Sequence, residues 1–345
     1  MRPLLALIAA MGPSGASANS ERVMSDVTAG AFQAERAGAG KETHLTTDDT
    51  IQTLLNHPAF AGFGRLLLPW DGRTYDGGMR LRDVGSLLPY HTHVDPATVV
   101  GALNHMIDAV GHGQTLFYDF YTEDEKKEDR TKANTGLFFF RGKPGAPFAI
   151  IAPGGGFAYV GSLHEGFPYA VAISRQGYNA FVLKYRPGSG GAAATRDLAA
   201  AISYVCRQAS SLGVATRGYS LWGSSAGARM AAAVGSHGVA SFGGDDVPKP
   251  SAVVMAYTGH SDYSDNEPPT FGVVGEQDGI AAPSVMERRV TALRMSGSRV
   301  EFERYPGLGH GFGPGTGTAA AGWLDRAIQF WERSLTSKLP MNNHC

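Results

Sequence analysis

Residues 219–234 read YSLWGSSAGARMAAAV, and the fold turns on how this stretch is read. The apolar run 219–222 has the composition of a short buried strand, and the alanine-rich run 226–234 that of a helix. Between them, Gly223-Ser224-Ser225-Ala226-Gly227 matches G-x-S-x-G. A chain with 46 glycines in 345 residues yields about 0.4 such matches by chance, so the pattern alone is weak. Its setting adds the weight. A strand before and a helix after are what a nucleophile elbow needs. The turn strains the serine backbone, and the flanking glycines let strand and helix approach. Ser225 is therefore the candidate nucleophile, with its Oγ held at a helix N-terminus.

Outward from this stretch, strands and helices alternate. Strands are predicted at 148–152, 180–185, 253–257, 271–274 and 300–305, and helices at 165–175, 196–212, 284–295 and 319–335. Continuous apolar strands alternating with helices predict an α/β fold, a mostly parallel central sheet with helices on both faces. Two aromatic-rich runs, 115–122 and 136–141, read as a strand pair joined by a charged loop, 123–131. The catalytic domain is expected over 115–336. Residues 51–114, with a helix at 96–110, are expected to be an N-terminal extension or cap. Their Leu, Tyr, Trp and Phe content is too apolar for a solvated arm. Residues 19–50 read as disordered or loosely attached, and 337–345 as a tail.

Three further positions carry chemistry. Pro153-Gly154-Gly155-Gly156-Phe157 follows the strand at 148–152. Three consecutive glycines leave backbone N–H groups able to face a small anion, as the tetrahedral intermediate of acyl transfer requires. A phosphate loop would end in Lys-Ser/Thr, which is absent here. The N–H of Ala226, next after the serine, is a second donor to that anion. Gly275-Glu276-Gln277-Asp278 follows the strand at 271–274, where an orienting acid belongs. Asp278 is the leading candidate, with Glu276 its close rival and Asp262, after the preceding strand, a more distant one. His310, in a glycine-rich loop between the last strand and the closing helix, is the candidate base. The order Ser, Asp, His is that of α/β-hydrolases rather than of other serine enzymes. His91-Thr92-His93 would place two rings on one side of a strand. No Cys or carboxylate pair lies nearby, so no metal site is expected, although Tyr90 and these histidines could line the pocket. His164-Glu165-Gly166 reads as a helix cap.

Together these residues resemble the α/β-hydrolase superfamily over about 115–335. Within it they look closest to the acetyl esterase and hormone-sensitive-lipase-like branch, including the carbohydrate esterases that act on feruloyl and acetyl xylan esters. The chain has Pro153 where the lipase branch carries His, and Ala228 where a second glycine usually follows the elbow. Proline, three glycines and an aromatic are more similar to the carbohydrate-esterase variants. The resemblance implies that Gly155 and Gly156 are the oxyanion glycines and that the substrate is a short-chain acyl ester, of a sugar or phenolic alcohol. It implies no cofactor. A serine peptidase or amidase on the same fold is the alternative, although the chain has no room for the propeller domain of one peptidase branch. A non-catalytic binding protein would more readily lack one of the three residues.

Composition bounds the rest. A net charge of −1 with 18% charged residues gives no electrostatic footprint for nucleic acid, and the expected partner is a small-molecule ester. Oligomeric state is not legible. Arg2, the apolar run 4–11 and Ala16-Ser17-Ala18 have the parts of a cleaved signal at 1–18, predicting a secreted or periplasmic protein. An over-extended start, with translation from Met24 in the cytoplasm, is the alternative. The apolar run is shorter than the roughly 20 residues needed to span a bilayer. Cys206, in a predicted helix, and Cys345, the last residue, read as a buried and a terminal thiol rather than a disulfide.

Overall fold

The structure, a computed structural model, describes residues 43–336. The expected signal at 1–18, most of 19–50 and the tail 337–345 lie outside the described residues. One eight-stranded sheet organises the chain. Its strands in chain order are β1 (Phe117–Tyr118), β2 (Gly136–Phe140), β3 (Pro147–Ala152), β4 (Asn179–Lys184), β5 (Ala215–Ser224), β6 (Ala252–Ala256), β7 (Thr270–Gly275) and β8 (Val300–Tyr305). Their spatial order is β1-β2-β4-β3-β5-β6-β7-β8. β3 to β8 run parallel, while β1 and β2 pair antiparallel at one edge.

Side-chain alternation explains why the inner strands are apolar throughout. Val182, Ile151, Trp222 and Val254 stand in one row across β4, β3, β5 and β6, so their side chains share a face, and Val253 points to the other. Gly166, at the start of helix Phe167–Arg175, lies so close to Val182 that a Cβ there would sit 2.5 Å from its Cγ1. Gly235, in helix Ala226–His237, lies as close to Val253, 2.6 Å by the same measure. Helices therefore cover both faces, and every residue of β2, β4, β6 and β7 is buried. Helix Gly190–Arg207 packs beside Ala226–His237, and Trp323–Thr336 beside Phe167–Arg175.

Two local expectations are corrected. The charged segment after β1 is a short helix, Glu123–Glu128, rather than a loop. The Thr122 hydroxyl accepts from the Glu125 N–H, and the Glu125 carboxylate accepts from the Thr122 N–H at 2.8 Å. This capping box satisfies two end donors of a helix with no buried residue. Residues 43–50 are also held. Leu45 is buried, and its backbone exchanges two hydrogen bonds with the Asn104 amide, at 2.8 and 2.9 Å. Cys206 is half-buried, and burial pushes its thiol up to about 11.

Residues 51–114 pack on the β1–β2 edge and share the apolar core. Phe63 stacks on Phe117 at 5.2 Å, and helix Pro96–Gly111 lies against Phe167–Arg175. A buried lysine on the last residue of β4, Lys184, reaches into this segment. Its Nζ pairs with Asp71 at 2.9 Å and donates to the Leu68 and Pro69 carbonyls. Among the described residues, no helix is long and apolar enough to cross a membrane.

Candidate active site

β5 ends at Ser224, and helix Ala226–His237 begins one residue after Ser225. Ser225 makes the reversal with φ 51° and ψ −117°, a region that L-residues enter only under strain. Its N–H is anchored on the Ala256 carbonyl at 2.8 Å. The two flanking glycines are sterically required. A Cβ on Gly223 would fall 2.4 Å from the Gly227 backbone, and one on Gly227 would fall 1.8 Å from the Ala152 oxygen. A larger residue at either place would push the helix off the sheet and move the serine with it.

His310 comes from the loop after β8. Its Nε2 lies 2.8 Å from Ser225 Oγ, and its Nδ1 lies 2.8 Å from Asp278 Oδ2. The loop is pinned from the N-terminal segment, because the Thr92 hydroxyl donates to the His310 carbonyl at 2.7 Å. Asp278 follows β7, and its side chain is wholly buried. Its Oδ1 accepts from the Ile280 and Ala281 N–H groups at 2.8 and 2.7 Å, which leaves Oδ2 for the imidazole. The neutral tautomer with Nδ1–H donating to Asp278 leaves Nε2 free to accept the serine proton. The rival acids lie elsewhere. Glu276 is half-exposed on Arg304 at 3.4 Å, and Asp262 pairs with the exposed His237 at 2.7 Å.

The Pro153–Phe157 loop lies against the same serine. A Cβ on Gly154 would meet Ser225 Cβ at 3.0 Å, and Gly155 and Gly156 both have positive φ, 130° and 63°. Ala226 opens the helix beside them. Tyr90, 43% exposed, stands next to Gly156, where a Cβ would meet its ring at 3.0 Å.

The fold that carries this arrangement is shared with known proteins. Residues 141–258, about a third of the chain, match the family model described as BD-FAE. That span runs from the end of β2 through the loop and elbow to the end of β6. The fold is similar to a thermophilic esterase, Est2, of the Planctomycetes species Thermogutta terrifontis, solved with propionate bound. The likeness has a TM-score of 0.55 at 19% identity over 63% of this chain and 93% of that one. The chain has the α/β-hydrolase fold. An acetyl ester-xyloside bifunctional hydrolase from Caldicellulosiruptor lactoaceticus has the same fold, with a TM-score of 0.52 at 22% identity over 58% and 88% of the two chains. So has MGS-M1, an α/β hydrolase from a Medee basin deep-sea metagenome, with a TM-score of 0.50 at 22% identity over 59% and 93%. No curated protein matches.

A second imidazole–carboxylate pair lies beside the first. His91 Nε2 is 3.0 Å from Glu165 Oε1, and both side chains are almost fully buried. His91 Nδ1 faces the Tyr159 hydroxyl at 2.8 Å. The expected strand at 91–93 is absent. The chain turns there, His93 has φ 53° and is exposed, and the two rings do not share a face. Glu165 does not cap the following helix either, whose N-cap is Gly166 with no side-chain cap bond. It lies in a buried π-helical turn, Ser162–Gly166. Burial would raise its pKa, but the His91 imidazole and hydrogen bonds from His91 and Tyr257 hold it down to about 2. His164 is buried next to it. Burial, reinforced by the nearby His91, lowers its pKa to about 4. Its Nε2 faces the Gly311 carbonyl at 3.2 Å, in the His310 loop. One signal in the sequence points to Glu165. The run from 162 to 174 is almost uninterrupted in small and apolar residues. A helix with no polar face is buried all round, so a glutamate at its start needs an internal partner.

Proposed function

We propose that this α/β-hydrolase is a serine esterase acting on short-chain acyl esters. One observation carries the reading. Ser225 Oγ, His310 Nε2, His310 Nδ1 and Asp278 Oδ2 form one hydrogen-bonded line of two 2.8 Å contacts, starting at a strained elbow. In the proposed reaction, His310 takes the Ser225 proton as Oγ bonds to the ester carbonyl carbon. The carbonyl oxygen becomes an oxyanion facing the N–H groups of Gly155, Gly156 and Ala226. Asp278 keeps the imidazole in the required tautomer and stabilises its protonated form. The oxyanion collapses, the alkoxide leaves with the proton from His310, and water then hydrolyses the acyl-enzyme by the same route.

Acyl length and alcohol are proposed by likeness. The BD-FAE match, a family of feruloyl and acetyl esterases, and the acetyl ester-xyloside hydrolase with the same fold support an acetylated or feruloylated carbohydrate. The test is a comparison of p-nitrophenyl acetate, butyrate and octanoate with p-nitroanilide amides and acetylated xylan, with fluorophosphonate labelling in parallel. The expected result is turnover falling with chain length and one labelled serine. Faster cleavage of anilides than of esters would transfer the chain to the amidases.

A further inference from the structure

Oxyanion donors work only if their peptide planes are fixed, because a flipped peptide presents its carbonyl to the developing charge instead. In a trans peptide the C=O and the following N–H point in opposite directions. The Pro153 carbonyl accepts from the Tyr185 hydroxyl at 2.9 Å, and the Gly154 N–H on the other side of that peptide donates to Glu165 Oε2 at 2.5 Å. The Gly154 carbonyl then accepts from the Gly161 N–H at 2.9 Å, which turns the Gly155 N–H away from it. The Gly155 carbonyl accepts from Ala158 and Tyr159 at 3.0 and 3.2 Å, which does the same for Gly156. Glu165 thus holds the first plane of a three-plane ladder.

The other carboxylate oxygen reaches the opposite wall of the site. Glu165 Oε1 accepts from the Tyr257 hydroxyl at 2.7 Å, and Tyr257 in turn accepts from the Gly313 N–H at 3.1 Å, three residues past His310. The Tyr257 ring meets the His310 ring edge to face at 5.1 Å. Tyr257 itself has a positive φ, 37°, a strained non-glycine backbone at the end of β6. The carboxylate has its third partner in His91 Nε2, brought in by the N-terminal segment. If the Tyr159 O–H donates to His91 Nδ1, the Nε2–H faces Glu165, and every polar atom of this buried set is satisfied.

We propose that Glu165 is a positioning residue for the Ser225 chemistry, holding the oxyanion loop and the His310 loop at a fixed separation, with His91 completing it from the N-terminal segment. The proposal rests on the esterase reading above. It makes residues 51–114 part of the catalytic apparatus rather than a wall around it.

The test uses the full chain with Glu165→Gln, His91→Gln and Tyr257→Phe. Active sites are titrated with a fluorophosphonate so that misfolded protein is not counted. Glutamine keeps the volume and can still accept from Gly154, but its amide end donates where Tyr257 or His91 also donates. The expected result for Glu165→Gln is a fall of about 10- to 100-fold in kcat per titrated site, with KM for p-nitrophenyl acetate within about threefold. Inhibition by a short-chain trifluoromethyl ketone, which forms the tetrahedral oxyanion, should weaken in proportion to kcat. His91→Gln and Tyr257→Phe should move kcat the same way by smaller factors, and they carry the test if Glu165→Gln fails to fold. A lower melting temperature with per-site kcat unchanged in these variants would make Glu165 a structural residue only and overturn the proposal. A wild-type protein that neither labels nor turns over would instead overturn the esterase reading, and the role assigned to Glu165 with it.

Discussion

Two imidazole–carboxylate pairs lie in this site at nearly the same separation, His310–Asp278 through Nδ1 at 2.8 Å and His91–Glu165 through Nε2 at 3.0 Å. The ring is thus reversed between the two, and the group on its far side differs as well. His310 faces a serine hydroxyl that stands on a strained elbow and is partly exposed. His91 faces a tyrosine hydroxyl sealed among aromatic rings, with Trp70 and Tyr90 packed 4.7 and 5.6 Å from the Tyr159 ring. The same pair of groups therefore serves two ends. Where the imidazole ends on an accessible serine hydroxyl, the proposed reaction has it move a proton to a substrate. Where it ends on a buried hydroxyl it can only hold its neighbours in place.

The comparison breaks most visibly at the proposed nucleophile. Ser225→Ala removes the atom that distinguishes the first pair. By analogy with other triads, kcat should fall about 10⁶-fold with the fold retained, read as lost p-nitrophenyl acetate hydrolysis alongside an unchanged circular dichroism spectrum. Along the same line, Asp278→Asn should cost about 10⁴ in kcat by leaving the wrong tautomer at His310. Glu276→Gln, on an exposed carboxylate held by Arg304, should change kcat by less than about tenfold. A larger loss from Glu276 than from Asp278 would place the working carboxylate elsewhere.

How far these two pairs were legible in the sequence follows from how each is encoded. Ser225, Asp278 and His310 each sit just past the end of a strand, and the parallel sheet aligns those ends. A correct alternation of strands and helices therefore brings them together without any knowledge of side-chain contacts. The elbow glycines and the Pro153–Phe157 loop were legible for the same reason, being turns whose backbone requirement is written as glycine. Nothing local joins His91 to Glu165. They come from separate regions of the chain, no spacing rule links them, and Glu165 next to a helix start looks like an ordinary cap. The capping box at Thr122–Glu125 was visible as Thr-x-x-Glu, but the surrounding charges suggested a loop. The packing of residues 43–114 depends on contacts such as Lys184 with Asp71, which no periodicity anticipates.

A weaker effect separates the pairs by acid stability. His164 is buried beside the second pair, and burial lowers its pKa to about 4. Its ordinary value is about 6.5, so the unfolded chain binds the extra proton between these values. Stability from this residue is then fully present above about pH 6.5 and is lost as pH falls toward 4. Glu165, held down to about 2, loses its contribution only at lower pH, from about 4.5 downward. His260, also lowered to about 4 by burial first and then by Arg289, adds to the upper window. In His164→Gln the unfolding free energy should therefore depend less steeply on pH between 4 and 6.5, by at most about 1.4 kcal/mol per pH unit. An unchanged slope would show that His164 takes up its proton while folded.

The smallest expected effect tests whether adjacent residues can belong to different pairs. Ser224 precedes Ser225 by one residue, yet strand alternation turns it to the opposite side, where it is fully buried. Its hydroxyl lies 3.1 Å from the Tyr169 hydroxyl, which lies 3.3 Å from that of Tyr257. Because Tyr257 donates to Glu165, a consistent order of donors runs from Ser224 through Tyr169 and Tyr257 to the carboxylate. Ser224→Ala removes only the outermost donor, and Tyr169 keeps Tyr257 as a partner. The loss of one neutral hydrogen bond should lower stability by about 1 kcal/mol and leave kcat/KM within about threefold. Both can be read from one preparation by urea denaturation and p-nitrophenyl acetate turnover. A loss at Ser224 approaching that at Ser225 would mean that the elbow does not separate the two serines, and that the buried network and the Ser225–His310–Asp278 line act as one unit.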